Sequence, residues 1–399
     1  MHTTTPLVLT ILVLGYAVLS EQVNRKYIAP ALIFVIAGMV LGPFGFGLLD
    51  AGAGATGYSV LAQLALAVIL FDQAAKIDLD RTNLRGRVTL RLLLLGMPLS
   101  LILGALTAVA LLPVLPWWEA VCLSAIVAPT EVALIEGLLE DRRIPEQVRH
   151  ALSVESGLND GFALAALLGA MALASAHADP TGGQWAWFAF STEIVSLIIG
   201  AAVGLVGGAL VSWSRHRGWM SDTWAQLATL ALAFICLELG ERLHASGFVA
   251  AFTGGLAFAF VSRRHSEAPL PTQFSDATGQ LLELTVFAMF GAFAVIDGWK
   301  QADWRVVAFA VVAVFVVRVV AVLLALWGSD LPTSDRLFIG WFGPRGIGTA
   351  VLGLVVVERG AIENIGRIGM VVVVAVTLSL VLHSLTAGFG ISRLARARS

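Results

Sequence analysis

The chain is a succession of apolar runs, each long enough or nearly long enough to cross a bilayer as a helix. A spanning helix needs roughly 20 apolar residues, and we count about thirteen such runs. They fall at residues 6–20, 28–48, 57–75, 89–112, 118–139, 147–175, 186–213, 223–240, 245–261, 279–296, 304–327, 335–357 and 367–390. The pattern predicts an all-α, polytopic membrane protein with about thirteen transmembrane helices.

Composition agrees with a bilayer environment. Hydrophobic residues make up 58% of the chain and charged residues 13%, whereas soluble domains carry about 25% charged residues. The net charge of −2 argues against a nucleic-acid partner. Both cysteines lie in apolar runs, so neither a disulfide framework nor a thiolate metal site is expected. We expect no cofactor.

The loop charges predict an orientation. Most of the 25 lysine and arginine residues fall in alternate loops, beginning with the loop after the first run. Positively charged loops stay in the cytoplasm. The chain is therefore expected to be a multi-pass protein of the cell inner (plasma) membrane, with its N-terminus outside and its C-terminus in the cytoplasm.

Two of the runs are interrupted by proline, glycine and a charge. Residues 128–131 (Ala-Pro-Thr-Glu) break the fifth run, and residues 343–346 (Gly-Pro-Arg-Gly) break the twelfth. Each break falls in the middle of three runs, and the two sets begin on opposite sides of the membrane. This predicts inverted repeats with two discontinuous helices that cross near the midplane. The alternative is that both segments merely kink ordinary helices, but the charges of Glu131 and Arg345 argue against it.

The segment 154–161 (Val-Glu-Ser-Gly-Leu-Asn-Asp-Gly) places two carboxylates, an amide and a hydroxyl in one apolar run. On a helix, Glu155 and Asn159 share one face, and Ser156 and Asp160 share the next. An ionisable group at membrane depth costs roughly 2.5–3.5 kcal/mol on insertion scales, so these groups are expected to pair, line a cavity or bind an ion. The alternative is a wet helix end at the membrane surface.

The oxygen atoms near Asp160 suit a hard monovalent cation. Its carboxylate, the Ser156 hydroxyl, Thr130 and the freed carbonyls of the first break are the ligand types that such cations prefer. Burial also favours the protonated form of a carboxyl group. One acid that takes either a cation or a proton is the minimum requirement for exchange.

Other polar residues in the runs need partners. Arg318 has no acid in its own helix, and Glu155 is its expected partner, which would leave the exchange to Asp160. Arg345 is expected opposite Glu131, balancing the two breaks. The alternatives are that Arg318 snorkels to the surface and that Arg345 lies in an interfacial loop. His383, alone on an apolar run, is expected to be a hydrogen-bonded core residue.

At these residues the chain resembles the monovalent cation:proton antiporter superfamily, and within it the electroneutral sodium/proton exchanger branch. Residues 155–160 match its Glu-Ser-x-x-Asn-Asp signature closely. Residues 128–131 resemble the first crossing motif, with Glu131 where the family usually has Asp. Residues 342–346 resemble the second crossing motif, Gly-x-Arg-Gly, and residues 246–255 resemble a further family segment. Arg318 falls where the branch has an intramembrane arginine.

The resemblance implies a homodimer whose core moves like an elevator against a dimerisation domain. Residues 1–88 (helices 1–3) and 177–302 (helices 7–10) would form the dimerisation domain, residues 89–176 (helices 4–6) and 303–392 (helices 11–13) the core, and residues 393–399 a cytoplasmic tail. It implies cation binding by Asp160, Thr130 and Ser156, with Glu155 taking part. Asn159 beside Asp160 marks the electroneutral branch, which exchanges one cation for one proton.

The sequence thus favours a transporter, a secondary active antiporter of Na⁺ or K⁺ and protons. A membrane-embedded enzyme is one alternative, but it would need a histidine, serine or metal cluster opening to one interface, and the histidines here are scattered. A passive cation channel is another, and it would need rings of carbonyls or like charges.

Overall fold

A computed structural model describes residues 4–49, 54–77, 87–139, 141–178, 182–265, 270–359 and 362–396, and every regular element in these ranges is helical. The helices are α1 (Thr5–Asn24), α2 (Pro30–Leu41), α3 (Gly54–Lys76), α4 (Arg87–Leu111), α5 (Trp117–Val127), α6 (Glu136–Leu139), α7 (Glu146–Ala178), α8 (Gly182–His216), α9 (Asp222–Arg242), α10 (Gly247–His265), α11 (Gln273–Gln301), α12 (Trp304–Ala325), α13 (Thr333–Trp341), α14 (Ile347–Arg359) and α15 (Ile365–Arg396). The fifth and twelfth runs each form two pieces. The all-α prediction is confirmed.

Eight helices in the described part of the chain are long and apolar enough to cross a membrane. They are α1, α3, α4, α8 from Glu193, α9, α11, α12 and α15, while α2 and α5 are shorter apolar helices. Large apolar side chains such as Leu7, Leu14 and Val18 of α1 stand exposed, as lipid-facing residues do. The chain is a multi-pass membrane protein. The count of thirteen spans and the orientation stay predictions.

Three of the long helices contain a π-helical turn. These turns are Leu92–Gly96 in α4, Gly291–Val295 in α11 and Val312–Val317 in α12. A π turn adds one residue to the local winding and rotates the residues that follow, and such turns are frequent at functional sites. The turn in α12 ends at Val317, immediately before Arg318, so it affects the direction in which the Arg318 side chain leaves the helix.

Contacts along the chain divide it into two compact units. The first comprises Met1–Ser59, Arg81–Asn159 and Leu284–Ser399, and the second comprises Val60–Asp80 and Asp160–Glu283. The first unit holds both interrupted runs and the first part of α7. The assignment of helices to a dimerisation domain and a moving core stays a prediction.

In the first unit, a buried apolar cluster anchors the pieces that flank the breaks. It includes Ile135 beside α6, Val148 of α7, Phe338 of α13 and Ile391 of α15. The irregular segments therefore begin and end in packed helices, which restricts how far their backbone can shift.

In the second unit, α8 and α10 approach so closely that two glycines of α8 have no room for a side chain. A Cβ atom on Gly200 would overlap the carbonyl oxygen of Ala250, and one on Gly204 would overlap that of Gly254. Small residues at four-residue spacing permit this kind of contact between helices in a membrane.

A polar cluster fixes the loop that leads into α7. The Tyr27 hydroxyl donates to Oδ2 of Asp141 (2.8 Å), and Nη2 of Arg143 donates to the same oxygen (2.7 Å). The hydrogen bonds from Arg143 hold the pKa of the Asp141 carboxyl well below its usual range. The loop between α1 and α2 is thereby tied to the loop that precedes α7.

Candidate ion-binding site

The two breaks are non-helical and contact each other. Residues 128–131 separate α5 from a 3-10 turn (Val132–Ile135), and residues 342–346 separate α13 from α14. Pro129 and Pro344 lack the N–H that would continue a helix. The backbone N–H of Glu131 donates to the carbonyl oxygen of Pro344 (2.8 Å). The predicted pair of discontinuous, crossing helices is confirmed.

Arg345 of the second break is directed at the backbone of the first. Nη1 of its guanidinium donates to the carbonyl oxygens of Ala128 and Pro129, the latter at 2.8 Å. These carbonyls lie at the C-terminal, negative end of the α5 dipole. Sequence reasoning expected Arg345 to face Glu131; the structure shows that backbone carbonyls stabilise its charge.

Glycines make this contact possible. A Cβ atom on Gly343 would lie 2.8 Å from Nε of Arg318 and 2.9 Å from Cγ2 of Thr130, and one on Gly346 would lie 2.6 Å from Cβ of Glu131. The side chains of the first break and Arg318 therefore occupy the space that a larger residue would need. Both glycines are required by close approach.

Gly343→Ala is expected to destabilise the protein by about 1–3 kcal/mol, because the added methyl group overpacks the crossing. The measurement is the melting temperature in detergent. Gly369→Ala is the matched control: it lies in α15, its Cβ would meet nothing within 4 Å, and alanine favours a helix over glycine. Equal melting temperatures for the two variants would show that the crossing has room to spare.

Glu155 and Arg318 form a buried, bidentate ion pair. Nη1 of Arg318 donates to Oε1 of Glu155, and Nη2 donates to Oε2 at 2.6 Å. Both side chains are almost wholly buried. Two parallel charge-assisted bonds give this geometry its strength. The contact expected from the sequence is present, and a snorkelling Arg318 is excluded.

Thr130 joins the first break to α7. The Ser156 hydroxyl donates to the Thr130 carbonyl oxygen (2.6 Å), and Nδ2 of Asn159 donates to the Thr130 hydroxyl oxygen (2.6 Å). The Ser156 proton is therefore directed to the backbone of the first break. The structure therefore brings together three of the predicted ligands and supporting groups.

Asp160 directly follows Asn159 in α7. The helix is continuous from Glu146 to Ala178, so Ser156 and Asp160 project from the same face one turn apart. Asp160 is 3% exposed and Glu155 is 2% exposed, which excludes the alternative of a wet helix end. The role of Asp160 in ion binding stays a prediction.

The other candidates are buried as well. None of the remaining candidates is more than 4% exposed: Thr130, Glu131, Ser156, Asn159, Arg318 and Arg345. The burial of Arg345 excludes the alternative that it lies in an interfacial loop. Among the described residues, no group of three or more His, Cys, Asp or Glu side chains is arranged to hold a metal ion. The cluster around Thr130 consists of hydroxyl, carbonyl and amide groups.

A brace on α15 supports the second break, and sequence reasoning missed it. The backbone N–H of Arg345 donates to Oγ of Ser379 (2.8 Å), and Nε2 of His383 lies 2.7 Å from the carbonyl oxygen of Trp341. Nδ1 of His383 lies 3.1 Å from Oγ of Ser379 and 2.7 Å from the Ser379 carbonyl oxygen. A serine and a histidine at i and i+4 on an apolar helix were the available signal. His383 is confirmed as a hydrogen-bonded core residue.

His383→Ala is expected to cost about 1–3 kcal/mol of stability, because it removes the partner of the Trp341 carbonyl and of the buried Ser379. His383→Gln keeps a donor that can reach toward Trp341 and should recover part of the loss. Melting temperatures in detergent give the comparison, with His216→Ala at an exposed position as the control. If His383→Ala lowered the melting temperature no more than His216→Ala does, the contacts of His383 would not contribute to stability.

Comparison with known proteins decides the family. The model for the transmembrane sodium/hydrogen exchanger family matches residues 8–397. The chain belongs to this family. The resemblance seen in the sequence, to the monovalent cation:proton antiporter superfamily, is confirmed.

Individual members of the exchanger family give the same picture. The chain is 28% identical to the K(+)/H(+) antiporter NhaP of Alkalimonas amylolytica, over 87% of this chain and 60% of that protein. It is 27% identical to the K(+)/H(+) antiporter NhaP2 of Shewanella baltica, over 82% of this chain and 56% of that protein. It is 26% identical to a probable Na(+)/H(+) antiporter of Schizosaccharomyces pombe, over 82% of this chain and 45% of that protein. The chain thus spans at most 60% of the length of these relatives, which are named as transporters and not as enzymes.

The fold is also that of a solved exchanger. The sodium proton antiporter MjNhaP1 from Methanocaldococcus jannaschii aligns with a TM-score of 0.75 over 94% of this chain and 98% of that one, at 18% identity. At this identity the likeness shows the fold alone, and it confirms the predicted antiporter architecture.

Proposed function

We propose that this exchanger-family chain is a secondary active antiporter that exchanges one monovalent cation, Na⁺ or K⁺, for one proton. The observation that carries the proposal is the buried, bidentate pair of Glu155 and Arg318. Arg318 neutralises Glu155, so the exchange is assigned to Asp160, the other acid of the same motif. Asn159 between them cannot ionise.

The chemistry of the cluster supports a cation as the occupant. The Ser156 hydroxyl oxygen, the Thr130 carbonyl and the Asp160 carboxylate are hard oxygen ligands. A cation on Asp160 neutralises it, and so does a proton. The two loaded states therefore carry the same net charge, and each excludes the other.

We further propose that the whole protein works by alternating access as a dimer in the membrane. The crossing of two broken helices supports an elevator-type mechanism, in which the core carries the site across the membrane. We assign the protein to the plasma membrane as a homodimer, with the N-terminus outside and the C-terminus in the cytoplasm. The loop charges support the orientation, and the names of the relatives support both Na⁺ and K⁺ as substrates.

Proteoliposomes with an acidic interior and an entrapped pH dye test the proposal. Adding NaCl or KCl outside should raise the internal pH, whereas choline chloride should not. A passive cation channel would not couple its flux to protons in the absence of a potential, and an enzyme would move neither ion. No pH change with either cation would refute antiport.

Exchange is expected to be electroneutral, because one proton and one monovalent cation replace each other on one acid. A cation jump on a solid-supported membrane should give no steady charge translocation from proteoliposomes that exchange protons actively in the dye assay. Asn159→Asp adds a second acid beside Asp160 and is expected to produce current. A clear current from the unaltered protein would rule out one-for-one exchange.

A further inference from the structure

A small cavity lies beside the first break, and Ala128 of the break is one of its lining residues. Its volume is about 10 Å³, and it is lined by Ser100 of α4, Ser124 of α5, Phe309 of α12 and Arg345 of the second break, among others. A cavity of roughly 10–15 Å³ is the least that holds one water molecule. The space is thus the size of a single water.

Two polar atoms of the lining residues have no hydrogen-bond partner in the described part of the chain. They are the Ser100 hydroxyl oxygen and Nε of Arg345, and both residues are at least 97% buried. A buried polar group left without a partner is costly, and native structures rarely leave one so. Ser124, which donates to the Leu101 carbonyl oxygen (2.8 Å), has lone pairs to spare as a third polar group.

We propose that this cavity is a binding site for one ordered water molecule, which accepts the Nε–H of Arg345 and donates to the hydroxyl oxygen of Ser100. Apolar cavities stay dry, but a water with two to four polar partners is a regular part of a protein interior. Here Nε of Arg345 and the hydroxyl groups of Ser100 and Ser124 are those partners.

The water would connect α4 to the crossing. Arg345 already holds the carbonyls of Ala128 and Pro129 through Nη1, and these residues immediately precede Thr130. The water would bind Nε of Arg345 and the hydroxyl of Ser100 at the same time. It would thus hold the Arg345 guanidinium on a second side. Ser100 is thus a positioning residue for the first break, whichever ion the site takes.

Replacement of Ser100 gives opposite signs for a wet and a dry cavity. In a dry cavity the Ser100 hydroxyl lacks a partner, so Ser100→Ala would leave the melting temperature unchanged or raise it. With water present, Ser100→Ala removes one of its partners and lowers the melting temperature. Ser100→Val, which fills the space and strands Nε of Arg345, should lower it further. A melting temperature of Ser100→Ala at or above that of the unaltered protein would overturn the proposal, whatever Ser100→Val does.

Radiolytic hydroxyl labelling locates the water without relying on a variant. Phe309 is fully buried and lines the cavity, so only a radical formed from a water inside can oxidise its ring. Phe34 and Phe287 are equally buried, do not line the cavity and serve as controls. Labelling of Phe309 well above both controls, lost in Ala313→Val or Ser100→Val, is the expected result. Labelling of Phe309 at the level of the controls in the unaltered protein would show that the cavity is dry.

Discussion

Asp160→Asn is expected to abolish cation:proton exchange, reducing it to the background of liposomes without protein. Asparagine keeps the shape of the side chain but can neither hold a proton nor neutralise a cation. Since Glu155 is paired with Arg318, no neighbouring acid of the motif is left to replace it. The fold should be unaffected, because the helix around this position is continuous from Glu146 to Ala178.

Cation-driven pH change in proteoliposomes measures the effect, and elution volume and melting temperature in detergent verify folding. Asp222→Asn is the control, since Asp222 begins α9 at an exposed position and should retain full exchange. Substantial exchange by a folded Asp160→Asn protein would remove Asp160 from the site.

The Glu155–Arg318 pair is expected to give the largest stability effects in the chain. Arg318→Ala and Glu155→Ala each leave a buried charge without its partner, which costs about 3–5 kcal/mol. The double variant removes both charges, so its loss should be far smaller than the sum of the two single losses. Thermal unfolding in detergent of the four proteins forms the cycle.

An exposed pair provides the reference for this cycle. Nε of Arg242 donates to Oε1 of Glu238 at 2.6 Å, with both side chains largely exposed. Such pairs contribute about 0–1 kcal/mol, so the same cycle there should give nearly additive effects. If the stability losses of Glu155→Ala and Arg318→Ala were also additive, the two side chains would not form a stabilising pair in the folded protein.

The Glu155–Arg318 pair and the two helix breaks could be predicted from the sequence because burial in a membrane leaves few choices. An arginine in the middle of an apolar run needs an acid, and its pairing with Glu155 would leave the exchange to Asp160. In the same way, proline and glycine next to a charge at membrane depth identified both breaks, because irregular backbone survives there only when buried in protein. The energetic cost of an unpaired charge or an open backbone group at membrane depth is enough to predict both features without any knowledge of distances.

The contacts made by backbone atoms were beyond the sequence. Periodicity tells which face of a helix a residue occupies, but a broken segment has no period. The bonds from Arg345 to the carbonyls of Ala128 and Pro129 could not be read in this way. The π turn before Arg318 leaves no signature in an apolar run, and the brace by His383 depends on where α15 meets the end of α13.

A cation and a proton are expected to compete for Asp160, and titration calorimetry tests this competition directly. Cation binding is measured at acidic, neutral and basic pH, each time in several buffers that differ in enthalpy of ionisation, so that the slope of the heat against that enthalpy gives the protons released. We expect release to approach one proton per cation at acidic pH, to fall as the pH rises, and to vanish in Asp160→Asn. Cation binding that releases no proton at any pH, or release that persists in Asp160→Asn, would contradict the account.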